Sequence, residues 1–514
     1  MERRLEELAR ARVVARIWAK DPSVWNGDAS TPEIRDRLGW LTVADAMASQ
    51  AAGLAAFADD VRAHFSRVVL CGMGGSSLGP EVLRRTFGVA GAHPTLTVLD
   101  STDPRAVAAA VRDQPLAQTL FLISSKSGTT LEPDCLFRYF WSLTGERGSQ
   151  FTAITDPGTP LAALAAARGF RRCFLNPPDI GGRYSVLSYF GLVPAALLGI
   201  DVARLLERAR RMAQACAAAV PAPANPAARL GAMLGGAALE GRDKVTFVLS
   251  AGLASFGLWA EQLIAESTGK ESKGIVPVAG EPLGAPAVYG QDRLFVRISL
   301  AGEEDPATEA RLAALAAAGH PVVRLALADQ YDLGGAFFQW EFATAVACAM
   351  LGINAFDQPN VAESKTNTGA VLERGGAAAP AATRADLDRF FAGIKQGDYL
   401  ALMAYLPPTP EHDARLADVQ RRLRDRLKVA TTLGYGPRFL HSTGQLHKGG
   451  PPAGHFLQIT QHDSQDVAIP GQPFTFGALE AAQAEGDLLA LRGVDGLVLR
   501  GGDPRTPPGR ESVV

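Results

Sequence analysis

The sequence predicts an α/β protein with doubly wound, mainly parallel sheets, and three observations carry the prediction. Short apolar runs alternate with longer helical patterns, the alternation restarts after a proline- and alanine-rich stretch, and two runs end in loops of glycine, serine and threonine. The first set of runs is "RVVLCGMGG", "TLTVLD", "TLFLISS", "QFTAITD" and "RRCFL", each followed by a helix-like segment. The stretch "VPAPANPAA" (220–228) reads as a linker, after which "KVTFVLSA", "LFVRISL" and "PVVRLAL" open a second sheet. A softer stretch, "GGAAAPAATR" (375–384), precedes the charged helix "PEHDARLADVQRRLRDRLKV" and further strand-like runs. The expected organisation is an N-terminal helix with a first domain over 1–220 and a second domain over 221–400. A C-terminal α/β section follows over 401–514, either a third unit or a completion of the second.

Composition narrows the class. A chain of 514 residues, 47% hydrophobic and 20% charged, has ample material for a core. Its formal net charge of -2 gives no bulk attraction for nucleic acid or an anionic membrane, so any anion must be met by local groups and the partner is a small molecule. The cysteines (Cys71, Cys135, Cys173, Cys216, Cys348) lie far apart without CxxC spacing, which disfavours a zinc site and a disulfide framework and fits a reducing cytoplasm. The N-terminal "MERRLEELARARVVARIW" spaces Leu5, Leu8, Val13 and Ile17 at helical intervals and resembles neither a signal core nor a membrane span. The terminal "GGDPRTPPGRESVV" is polar and proline-rich, and mobility is expected there.

In open parallel sheets, ligands bind beyond the carboxyl ends of strands, where helix N-termini favour anions. "FLISSKSGTTLEP" (121–133) places Ser124, Ser125, Lys126, Ser127, Gly128, Thr129 and Thr130 at such an end, ahead of a helix starting near Leu131 and Glu132. Hydroxyls around a flexible glycine can wrap a phosphate while the helix adds its positive end. "CGMGGSSLGPEVL" (71–83) repeats the design, with Ser76 and Ser77 after a glycine turn and Pro80 suited to a first helical turn. The plainer reading is a pair of Ser-capped βα turns. Neither loop has Walker spacing or a GxGxxG after the first strand, so nucleotide binding is disfavoured. In "WAEQLIAESTGKESKGIVPV" (259–278), Gln262 and Glu266 share a helix face ending at a glycine turn, where a carboxylate beside a cavity can act as a base. The bland alternative is a solvated surface glutamate.

Five ordered motifs, "GMGGSSLGP", "SSKSGTT", "GGRYSVLS" (181–188), "ESTGKE" (266–271) and "NAFDQPNVAESK" (354–365), carry a resemblance. From roughly residue 65 to 370 the chain resembles the glucose-6-phosphate isomerase family, whose members have two sugar-isomerase (SIS) α/β domains. After about residue 400 it most resembles the isomerase half of proteins that fuse transaldolase to that isomerase. The resemblance implies reversible interconversion of glucose 6-phosphate and fructose 6-phosphate through a cis-enediolate, as in glycolysis and gluconeogenesis, without metal, nucleotide or redox cofactor. It implies a homodimer. Phosphate contacts are implied for Gly75, Ser76, Ser125, Ser127 and Thr130, with Lys126 in the same loop. Arg183 matches the arginine that stabilises the charged intermediate, Glu266 the base, and Gln262 a substrate-contacting glutamine. Lys365 matches the lysine near the ring oxygen. If Pro359 opens a helix, Gln358 and Lys365 lie two turns apart on one side.

The departure concerns histidine, which the family carries before the lysine motif. Here "GEPLGAPAVYGQDRLFV" contains none, and "GPRFLHSTGQLHKGG" after that motif offers His441, favoured for its "LHSTGQ" phrase, with His447 and His320 as further candidates. The chemistry needs each group. A histidine with a reference pKa of about 6.5 exchanges a proton with the ring oxygen at neutral pH, and a lysine steadies the alkoxide. A carboxylate in a dry pocket rises toward neutrality and shuttles the C2 proton, while an arginine holds the enediolate. Two alternatives stay open: an isomerase also taking mannose 6-phosphate or another sugar phosphate, and a non-catalytic sugar-phosphate sensor.

Overall fold

In the computed structural model, residues 1–28, 30–112, 115–374, 382–461, 465–491 and 495–501 are described. The first set of apolar runs forms β1 (Arg67–Gly72), β2 (Thr95–Leu99), β3 (Thr119–Ser124), β4 (Phe151–Thr155) and β5 (Arg172–Leu175). They pair in parallel in the order β2-β1-β3-β4-β5. Val68, Val69, Leu70 and Cys71 are all buried, as expected of a strand covered by helices on both faces. The second sheet holds β6 (Lys244–Leu249), β7 (Val276–Val278), β8 (Arg293–Leu300) and β9 (Val322–Leu327) in the order β7-β6-β8-β9. β7 is three residues long, too short for an apolar run to announce it.

The C-terminal section builds a sheet of its own. β10 (Tyr399–Tyr405), β11 (Ala430–Tyr435), β12 (Gly454–Gln461) and β13 (Asp495–Gly501) pair in parallel in the order β11-β10-β12-β13. Each sheet therefore reverses its strand order beside its first strand, which is where such sheets open a crevice at their carboxyl ends.

Three local readings are corrected. The supposed linker at 220–228 ends as helix over its last three residues: Asn225 accepts from the Ala228 amide, Pro226 occupies the first position, and helix Pro226–Leu239 packs against helix Leu333–Leu351. The N-terminal helix is two, Glu2–Arg10 and Val13–Trp18, divided at Arg12 with φ of 51°, though Leu5, Leu8, Val13 and Ile17 are buried as their spacing predicts. Helix Val361–Glu373 starts after Asn360, so Pro359 and Gln358 precede it in a turn and Gln358 shares no helical face with Lys365. Most of the 375–384 stretch and the terminal 502–514 lie outside the described residues.

Candidate active site

The site forms where the carboxyl end of the first sheet meets elements of the other two. After β1 the chain turns through Gly74–Ser76, with Gly74 at φ of 54°. A Cβ on Gly74 would lie 2.6 Å from the His441 carbonyl and 2.8 Å from Gln262 Nε2, and one on Gly75 would lie 1.9 Å from the Gly182 carbonyl. Only a bare backbone lets this loop touch both the Arg183 turn and the His441 segment. Ser76 is buried within it. After β3, Ser125 Oγ donates to Thr130 Oγ1 at 3.0 Å, and Ser127 Oγ accepts from the Thr129 amide at 3.3 Å and the Thr129 hydroxyl at 3.0 Å. Gly128 takes φ of 66°, and helix Leu131–Leu143 begins directly behind. Hydroxyls gathered at a helix N-terminus make an anion cradle.

Lys126 departs from its expected place. Its ammonium pairs with Asp156 at the end of β4 and donates to the Pro178 carbonyl at 3.2 Å, so it braces the loop instead of facing into it. Burial lifts the Asp156 carboxyl above its ordinary value against the opposing pull of Lys126.

Arg183 sits in the turn Gly182–Tyr184 and is 2% exposed, which would be costly without partners. Its Nε donates to Ser267 Oγ at 2.8 Å, Nη2 to the carbonyls of Ala355 at 2.7 Å and Asp357 at 3.1 Å, and Nη1 to Gln358 Oε1 at 3.0 Å. Nη1 also lies 3.3 Å from Glu266 Oε1. Glu266 stands in the last turn of helix Phe256–Thr268, with Gln262 one turn earlier on the same face. Gln262 Nε2 donates to Glu266 Oε2 at 3.0 Å and to the His441 carbonyl at 2.9 Å, tying the carboxylate to the histidine segment. Gln262 Oε1 is buried without a partner among the described residues, an acceptor left over for a ligand hydroxyl.

His441 closes the turn Arg438–His441 after β11, its Nε2 2.8 Å from Glu132 Oε1. Glu132, in the first turn behind the serine loop, also accepts from Gln483 Nε2 at 2.7 Å. Burial opposes its ionisation. The charge and hydrogen bond of His441, with the charge of Lys365, outweigh burial and hold the carboxyl below its ordinary value. Lys365, exposed on helix Val361–Glu373, lies near enough for its positive charge to act on Glu132.

The other histidines fall away. His447 is buried between Phe439 and Phe456, and burial with nearby Lys448 drives it down to about 3, so at neutral pH it cannot trade protons. His320 packs edge-on against Phe295 and Tyr289 in the second unit. Sequence reasoning missed Glu132, Gln483 and Glu33, the last accepting from Gln358 Nε2 at 3.2 Å. The only trace of Glu132 was its place at a helix start; its partner lies 309 positions away.

Anion loop, carboxylate–arginine pair and oriented histidine define a class: an open-sheet protein with a hydroxyl-lined helix N-terminus beside a paired acid–base set. A family model described as phosphoglucose isomerase matches residues 6–291, more than half of the chain. The chain belongs to the phosphoglucose isomerase family. It is 36% identical over 274 residues to a glucose-6-phosphate isomerase of Thermosynechococcus vestitus, a match covering 51% of this chain and 50% of that one. It is 32% identical over 336 residues to a probable glucose-6-phosphate isomerase of Natronomonas pharaonis, covering 57% and 76%. Against the Thermosynechococcus protein, then, the chain spans half the relative's length. Among solved structures, a hypothetical protein from Thermus thermophilus superposes with a TM-score of 0.61 at 25% identity, covering 72% of this chain and 96% of that one. A glucose-6-phosphate isomerase from Chlamydia trachomatis shares the fold with a TM-score of 0.61 at 22% identity, covering 72% and 85%. Gln358, Lys365 and His441 all lie beyond the residues the family model matches.

Proposed function

We propose that the protein interconverts glucose 6-phosphate and fructose 6-phosphate. The observation that carries this reading is the juxtaposition of Glu266, 3.3 Å from Arg183, with His441, held by Glu132 and joined to Glu266 through Gln262. The relatives' names agree with it. The phosphate sits on Ser76, Ser125, Ser127, Thr130 and the helix N-terminus behind them. His441, steadied by Glu132, transfers the ring-oxygen proton, and Lys365 stabilises the opening alkoxide. Glu266 then takes the C2 proton and returns it to C1. As charge builds on the enediolate oxygens, the fixed guanidinium of Arg183 meets it without reorganising.

A cytoplasmic setting fits five free cysteines. A homodimer belongs to the same reading, with each copy holding every group named above.

The test is conversion of fructose 6-phosphate by the purified chain, followed by coupling the glucose 6-phosphate formed to a dehydrogenase. Glu266→Gln should lower kcat by roughly 10²- to 10⁴-fold, the share a positioned base contributes, with sugar-phosphate binding retained. Binding without turnover in the parent would favour the sensor, and a Glu266→Gln protein as fast as the parent would remove the base from this assignment.

A further inference from the structure

Arg183 owes its aim to one short segment. Three of its acceptors, the Ala355 and Asp357 carbonyls and Gln358 Oε1, belong to the turn between helices Leu333–Leu351 and Val361–Glu373. The same turn is gripped by a second cation that the mechanism above does not use. Lys270, 3% exposed, donates from Nζ to the Asn354 carbonyl at 2.5 Å and to Asp357 Oδ1 at 2.6 Å. The two grips interleave along the chain: lysine on 354, arginine on 355, both on 357, arginine on 358. Lys270 itself stands on a rigid base. Its amide donates to the Lys273 carbonyl at 3.1 Å across a tight turn in which Glu271 and Ser272 take φ of 55° and 59°, and the Ser272 amide donates to the Gly449 carbonyl at 3.0 Å. Two consecutive left-handed residues without a glycine are costly and persist only where their surroundings hold them.

We propose that Lys270 is a positioning residue of the isomerase reaction, holding the 354–358 turn so that its acceptors aim the Arg183 guanidinium at Glu266 and the enediolate. The proposal rests on the isomerase reading above. Removing the ammonium leaves Asp357 and the Asn354 carbonyl without their donor, and the turn, with its three Arg183 acceptors, relaxes. A displacement of about 1 Å at a charge-stabilising group is enough to lose about 10²-fold in rate.

The charge state of Lys270 supplies a signature that a merely structural lysine lacks. Burial, then the neighbouring Arg183, pull it down to about 8, against the attraction of Asp357. The groups facing it are Arg183 from the Gly182–Tyr184 turn, Asp357 and the Cys348 thiol of helix Leu333–Leu351, which burial keeps neutral, while Glu271 and Lys273 of its own turn are exposed and pair with each other. Since the depressed value lies near 8, the ammonium is lost as pH rises through that region and the grip weakens. kcat should therefore fall on the alkaline side.

The test measures kcat and KM for fructose 6-phosphate from pH 6 to 10 in the parent, Lys270→Met and Asp357→Asn. In Asp357→Asn the peptide carbonyl that Arg183 uses remains while the counter-charge of Lys270 is gone, so the alkaline fall in kcat should move to lower pH by about one unit or more. Lys270→Met should lower kcat by roughly 10- to 100-fold with KM changed far less, and should show no fall near pH 8. An alkaline limb in Asp357→Asn that superimposes on the parent's would overturn the proposal, even if Lys270→Met failed to fold. A parent that does not turn over fructose 6-phosphate refutes the isomerase reading and this proposal together, whereas an active parent matched by an equally active Lys270→Met refutes the positioning role alone.

Discussion

Glu132 shows how one side chain can be structural and chemical at once. It is buried at a helix start, it receives Gln483 and His441, and its charge is sustained by His441 and Lys365 against desolvation. Replacing it by glutamine keeps the volume and removes the charge that orients the imidazole. Glu132→Gln should lower kcat by about 10²-fold, checked with the coupled assay. Its folded value is depressed, so the ionised form contributes stability above the ordinary carboxylate range, and that contribution is lost as pH falls through the folded value. Thermal unfolding measured on acidification from neutral pH should therefore decline more steeply in the parent than in Glu132→Gln; equal slopes would remove Glu132 from the acid response.

The elements matter through their ends. Helix Phe256–Thr268 delivers Gln262 and Glu266 one turn apart, and the strand ends of β1 and β3 deliver the two hydroxyl loops. Contact between these ends depends on glycine. At Gly75 an added Cβ would meet the Gly182 carbonyl at 1.9 Å, and since that atom is backbone the two turns must separate. Gly75→Ala should cost about 1–3 kcal/mol in denaturant unfolding, as overpacking does, and raise KM for the sugar phosphate, because the phosphate loop and the Arg183 turn shift apart. Unchanged stability would show that the turns separate freely.

At the scale of the molecule, the question is what brings a histidine of the third sheet to a site on the first. The third sheet is anchored on a fully buried ion pair of the second unit, Glu281–Arg293, with Arg293 Nη2 3.0 Å from Glu281 Oε1. Glu281 Oε1 also accepts from the Thr431 amide at 3.0 Å and the Thr431 hydroxyl at 2.9 Å, and Arg293 donates to the Val429 carbonyl at 3.2 Å. These contacts hold the beginning of β11, whose far end leads into the Arg438–His441 turn. Removing one partner leaves an uncompensated buried charge, so Glu281→Ala should lose about 3–5 kcal/mol of stability. Where the variant still folds, kcat should drop more than KM, since the histidine and not the phosphate loop is displaced; an unaffected kcat would show that β11 is held by other means.

How much was legible follows from these scales. By itself the sequence determined the parallel α/β class, the strands whose apolar runs end in hydroxyl loops, and the Gln262–Glu266 face, because side-chain period and turn chemistry are local properties of a chain. Tertiary structure alone decided that the ammonium of Lys126 turns to Asp156, that His447 is walled in by aromatic rings, that His441 is oriented by Glu132, and that the C-terminal strands form their own sheet. Those outcomes join positions up to hundreds of residues apart. They depend on which buried donors and acceptors satisfy one another once the sheets have packed, and residue spacing carries no record of that choice.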